Sequence, residues 1–92
     1  MSTTKRDRVA YAIGEDALFM DGYDEALIGH VEFWDTSGER RAVACYDEEK
    51  VLRLVMKNSL CSYEDACEYM EFNQKDAYLG PMTPAFLMRL PK

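Results

Sequence analysis

The sequence predicts an α+β domain, a small antiparallel sheet with helices packed on one face. Three observations lead there. Two runs of alternating polarity, 27–34 and 40–46, flank a turn-rich segment and read as a hairpin. Two later stretches, 48–58 and 63–73, carry helical apolar stripes that need a sheet face to cover them. A last alternating run near the C-terminus supplies a third strand. The expected sheet is therefore a hairpin over about 26–46 plus a strand over about 85–90, with helices over about 5–13, 48–58 and 63–73. The 92 residues form one domain, 1–92.

The first helix is marked by Thr4-Lys5-Arg6-Asp7, which has capping-box spacing; Val9 and Ile13 lie one turn apart, and Gly14 can close it. Lys5 and Arg6 oppose the helix dipole there, so the helix is expected to be short and frayed. Residues 15–20 predict a further helical turn, broken by Asp21-Gly22. In the first strand, Leu27, Gly29, Val31 and Phe33 are expected on one face and Ile28, His30, Glu32 and Trp34 on the other. Asp35 to Glu39 makes the turn, and Arg40 to Tyr46 returns.

Asp47 caps the second helix, with Glu48 and Glu49 in its first turn. Its apolar arc is Val51, Leu52, Leu54, Val55 and Met56; Lys50, Arg53 and Lys57 line the other side. Ser62 caps the third helix, with Asp65 at the capping-box position. Tyr63, Ala66, Cys67 and Met70 form its core stripe, while Asp65, Glu68, Tyr69 and Phe72 cover the opposite side. Phe72 either turns inward where the helix ends or stands out as an aromatic anchor among carboxylates. Gly80-Pro81 and Thr83-Pro84 mark a loop before Ala85 to Leu90, the third strand.

The net charge of −6 is unevenly spread. Residues 9–39 contain eight acids (Glu15, Asp16, Asp21, Asp24, Glu25, Glu32, Asp35 and Glu39) and no Lys or Arg. This layout argues against direct nucleic-acid binding, which needs cations at phosphates. It suits a solvated surface, a partner with a basic face or imitation of a polyanion. Asp21, Asp24 and Glu25 crowd together but lack the alternating oxygen pattern and late bidentate Glu of a calcium loop. Cys45, Cys61 and Cys67 have no Cys-x-x-Cys spacing and are expected as reduced thiols in a cytoplasmic protein, without zinc. The polar stretch Met1 to Arg8 and the lack of a long apolar run predict neither a leader nor a membrane span. His30, the lone histidine, has no nucleophile motif beside it. No cofactor and no catalytic residues are expected.

Asp24-Glu25-Ala26-Leu27-Ile28-Gly29, Tyr46-Asp47 with Lys50, Ser62-x-Glu64-x-Ala66-x-Glu68-Tyr69-x-Glu71-Phe72-Asn73, then Ala77-Tyr78-x-Gly80 and Thr83-Pro84 form a pattern. It resembles a group of small uncharacterised proteins of phages, prophages and bacteria, over roughly residues 15–86. The stretch Gly29 to Glu39 is longer than the group's pattern. The resemblance implies a small binding protein acting on a host factor or defence system, and it carries over no catalytic residue.

The expected function is thus a small acidic protein-binding module, an inhibitor or modulator of a host or phage protein. Its candidate contact residues are Asp65, Glu68, Tyr69, Phe72, Asp21, Asp24 and Glu25. The alternatives are a self-associating homo-oligomer, in which the Lys50, Arg53 and Lys57 stripe meets acids of another copy, and a small enzyme using carboxylates and His30.

Overall fold

The computed structural model describes residues 4–14, 16–71, 80 and 82–90. Its elements in order are helix α1 (Lys5–Ile13), a 3-10 turn (Asp24–Ala26), strand β1 (Leu27–Trp34), strand β2 (Arg40–Asp47), helix α2 (Glu48–Ser59), helix α3 (Tyr63–Tyr69) and strand β3 (Ala85–Leu87). The strands form one sheet in the order β1-β2-β3. This is the expected α+β architecture with its antiparallel hairpin. The helix over about 63–73 widens into a π turn at Met70 and Glu71, and its last expected residues lie outside the described ones.

The sheet is mixed rather than wholly antiparallel. β3 runs parallel to β2, with Cys45 opposite Ala85, Tyr46 opposite Phe86 and Asp47 opposite Leu87. The reason is topological. Chain leaving the end of β2 passes through two helices before it returns, and a crossover of that length is what a parallel neighbour requires. β3 also ends at Leu87, short of the expected Leu90.

A bulge at the start of β1 corrects the expected face assignment. Leu27 pairs with Tyr46, but Gly29 already pairs with Cys45. Opposed residues share a face, so Leu27 joins Tyr46 and Ala44 on the core side while Gly29, Val31 and Phe33 share the other side with Cys45, Val43 and Arg41. A single inserted residue, Ile28, changes the face of everything beyond it.

The core collects Val9 from α1, Ala26 and Leu27, Ala44 and Tyr46 from β2, Val51, Leu52 and Val55 from α2, and Ala66 and Met70 from α3. Tyr46 is fully buried at its centre, with its ring 6.3 Å from that of Phe86. Its hydroxyl accepts a 2.8 Å hydrogen bond from the Met20 N–H. The Met20 carbonyl accepts from the Arg6 guanidinium at 3.1 Å and the Tyr23 N–H at 3.4 Å. With both backbone groups committed to these partners, Met20 cannot extend a helix, and residues 17–20 are irregular instead of the expected helical turn. Gly14, at φ +102°, closes α1 with its N–H on the Ala10 carbonyl at 2.8 Å.

Capping follows the sequence closely. Thr4 and Asp7 form a complete capping box on α1. Asp47 Oδ1 accepts from the Lys50 N–H at 3.3 Å, and Ser62 Oγ from the Asp65 N–H at 3.1 Å. α2 ends on Leu60 in the left-handed region, φ 52° and ψ 42°, where glycine is the usual residue. Among the described residues no helix is long and apolar enough to cross a membrane.

Candidate binding surfaces

The acidic turn at 21–25 is built around a cation from α1. The Arg6 guanidinium donates to Asp24 Oδ1 at 2.6 Å and to Asp21 Oδ1 at 3.1 Å, and lies over the Phe19 ring at 5.4 Å. The Asp24 hydrogen bond raises the Arg6 pKa above its already high value. Arg6, a poor fit to the dipole of its own helix, is therefore placed by tertiary contacts. Lys5 Nζ donates to the Glu25 carbonyl at 3.2 Å. Glu25 lines a shallow cleft together with Lys50, Arg53, Leu54 and Lys57 of α2.

Three further acids of the base-free run, Glu32, Asp35 and Glu39, are met from β2. Glu32 Oε2 accepts from Arg40 at 2.5 Å, and its other oxygen stands 3.5 Å from His30 Nε2. The Arg40 hydrogen bond, then its charge, lower the Glu32 pKa. Asp35 organises the turn: Oδ1 accepts from the Ser37 hydroxyl at 2.6 Å and from the Ser37 and Glu39 N–H groups at 2.9 Å each, and Oδ2 from Arg41 at 2.8 Å. Ser37, then Arg41, hold this carboxyl well below the usual carboxylate range. Five of the eight acids counted between residues 9 and 39 thus face an arginine from outside that run: Asp21, Asp24, Glu32, Asp35 and Glu39.

On α3, Asp65 and Glu68 are exposed and Tyr69 is 41% exposed. Tyr69 hydrogen-bonds Tyr23, whose own pKa is raised first by burial and then by Tyr69. That contact joins the end of α3 to the turn carrying Asp24 and Glu25. Phe72 lies outside the described residues. Of the expected core stripe, Ala66 and Met70 are buried, but Tyr63 is 47% exposed at the rim, where its hydroxyl donates to Glu49 at 3.2 Å.

A cleft of about 530 Å³ opens at the start of α2, lined by Asp47, Glu49, Arg53, Tyr63, Met88 and Arg89 among others. Two ion pairs lie in its wall: Arg89 meets Asp47 at 3.1 Å and Arg53 meets Glu49 at 3.7 Å. Among the described residues no three His, Cys, Asp or Glu side chains gather as a metal-ligand set.

Comparison with protein families, curated proteins and solved structures finds no match.

The surface that sequence reasoning missed is β1 itself. It is an edge strand, and among the described residues none pairs with its outer side. From Ile28 to Trp34 only Gly29 is partly covered; Ile28 is 38% exposed, Phe33 40% and Trp34 69%. Trp34 stands at the hairpin tip with the Arg40 guanidinium 5.8 Å from its ring. Edge status depends on strand order, so no local pattern could have revealed it.

Proposed function

We propose that this chain is a small protein-binding module whose contact surface is the outer edge of β1 with the aromatic tip of its hairpin. One observation carries this reading. An eight-residue edge strand exposes Ile28, Val31, Phe33 and Trp34 and bears no Lys, Arg or Pro from residue 27 to residue 34. Edges left bare by soluble proteins are normally guarded by such residues, because unpaired N–H and C=O groups template another strand. An extended protein segment added here would gain main-chain hydrogen bonds from the edge and side-chain contacts from the exposed apolar residues.

A second reading places a basic host or phage protein on α3. It is favoured by the exposed Asp65, Glu68 and half-exposed Tyr69, and by the resemblance to small phage and prophage proteins.

One experiment separates the two. Tagged wild type, Trp34→Lys and Asp65→Lys/Glu68→Lys are used as baits in a bacterial lysate, with circular dichroism confirming the fold of each. A partner lost with Trp34→Lys supports the β1 surface. A partner lost only with the α3 reversals transfers the function to α3, and a partner held by every bait rejects both surfaces.

A further inference from the structure

We infer that a second copy of this chain occupies the outer edge of β1, paired antiparallel about a two-fold axis that lies midway between the two strands, level with Val31. This rests on the edge being the contact surface. Two identical strands pair antiparallel in one sheet only about a two-fold perpendicular to it, which makes the contact isologous. Directly opposed residues share a face, so the axis must lie between a residue and its own copy.

With the axis at Val31, residues equally spaced on either side of it meet across the interface. Val31 opposes Val31 of the second copy, and His30 opposes Glu32. Gly29 opposes Phe33, and Ile28 opposes Trp34. Each pair is complementary: a β-branched contact, an imidazole with a carboxylate, an aromatic ring over a glycine, and an aliphatic chain on an indole. Neighbouring axes lack this property. An axis at Glu32 sets two carboxylates opposite each other, and like charges directly opposed destabilise a strand pair. An axis at His30 sets Glu32 against Ile28 and Phe33 against Leu27, which is 2% exposed and held in the core.

The structure prepares the polar pair. His30 Nε2 already stands 3.5 Å from Glu32 Oε1, with Arg40 on the other oxygen. In the symmetric pair these three side chains of each copy meet those of the other on one face, with each carboxylate between cations and imidazoles. The exposed Ile28 and Trp34 flank this cluster.

The test is register-specific cross-linking, with sedimentation velocity of the unmodified protein beside it. Val31→Cys faces its own copy across the axis, where opposed Cα atoms are about 4.5–5.5 Å apart and within disulfide reach. In the same register two Cys at position 30 would be about 8–9 Å apart, beyond that reach. The expected results are that Val31→Cys forms a covalent dimer at least about tenfold faster than His30→Cys, that His30→Cys mixed with Glu32→Cys cross-links between the two variants, and that the wild type sediments as a concentration-dependent dimer. The wild type, carrying Cys45, Cys61 and Cys67, sets the background. Equal rates for Val31→Cys and His30→Cys, or a wild-type monomer at every concentration, overturn the inference. In that event, a lysate partner lost with Trp34→Lys leaves the edge as a binding surface for another protein; a partner indifferent to Trp34→Lys removes the edge as well.

Discussion

Removing one oxygen atom, in Tyr46→Phe, tests the account of how residues 16–23 are held. The ring is fully buried, so the variant keeps its packing against Phe86 and changes only the hydroxyl. That hydroxyl accepts the Met20 N–H at 2.8 Å. A neutral hydrogen bond contributes about 0.5–1.5 kcal/mol net, and leaving a buried donor without a partner costs about 1–3 kcal/mol. Met20 is only partly buried, which favours the lower half, so the expected loss is about 1–2 kcal/mol. For a domain of this size that lowers the Tm by roughly 4–8 °C per kcal/mol. Urea unfolding should show a lower midpoint with an unchanged slope, and hydrogen exchange should quicken at the Met20 amide. The difference should also depend on pH. Burial is the largest influence on Tyr46 and raises its pKa, so the folded chain holds the phenol proton more tightly than the unfolded chain. The stability this confers is complete below the unfolded pKa of about 10 and is lost as pH rises from there through the folded value, by up to about 1.4 kcal/mol per pH unit. The gap between wild type and variant should narrow above about pH 10. A variant as stable as wild type at neutral pH, with Met20 exchange unchanged, would refute the role given to this hydroxyl.

Arg6→Ala should destabilise by about 1–2 kcal/mol, since it removes charge-assisted bonds to Asp21 and Asp24 and the bond to the Met20 carbonyl; amide exchange should quicken in α1 and the 21–26 turn together. Leu60→Gly should stabilise by about 0.5–1 kcal/mol, because Leu60 is 91% exposed and relief of its left-handed backbone outweighs the added freedom of the unfolded chain; a lower melting temperature would count against this. Asp35→Asn should loosen the hairpin turn, read as faster exchange at Ser37 and Glu39. The Asp35 carboxyl is depressed by its partners, so its contribution is present above the unfolded pKa of about 3.9 and lost as pH falls toward the folded value. The acid sensitivity of those two amides in the wild type should be absent in the Asn variant.

The parts of the fold legible in the sequence were those fixed by local chemistry. Thr4, Asp47 and Ser62 announce their helices because capping uses backbone groups within three residues. The hairpin was equally plain from alternation around Asp35-Thr36-Ser37-Gly38-Glu39. What failed was non-local. The parallel placement of β3 depends on how the chain returns after α3, and the bulge at Ile28 depends on Leu27 being drawn to Tyr46 and Ala44. The base-free run likewise looked like an open anionic surface, because its cations lie outside it in sequence. Arg6 reaches Asp24 across 18 positions, and its awkward place at the start of α1 was the one local hint that it is needed elsewhere.

That pairing also decides where a basic partner would find negative charge. At the acidic turn it must compete with Arg6 for Asp21 and Asp24, at the hairpin with Arg40 and Arg41 for Glu32, Asp35 and Glu39. Glu64, Asp65 and Glu68 stand exposed on α3, and residues 58–71 contain no Lys or Arg. The two proposed surfaces should therefore respond differently to salt. Contacts on α3 between exposed charges weaken as the screening length falls from about 10 Å at 0.1 M to about 3 Å at 1 M. Association through β1 rests on main-chain hydrogen bonds and apolar side chains, and burial of apolar surface does not weaken with added salt in that way. Binding measured across this range, with Asp24→Asn as a control that leaves α3 intact, should be nearly flat for a partner on the edge. Loss of binding by 1 M salt that Asp65→Lys/Glu68→Lys reproduces at low salt would place the working surface on α3 and remove β1 from that role.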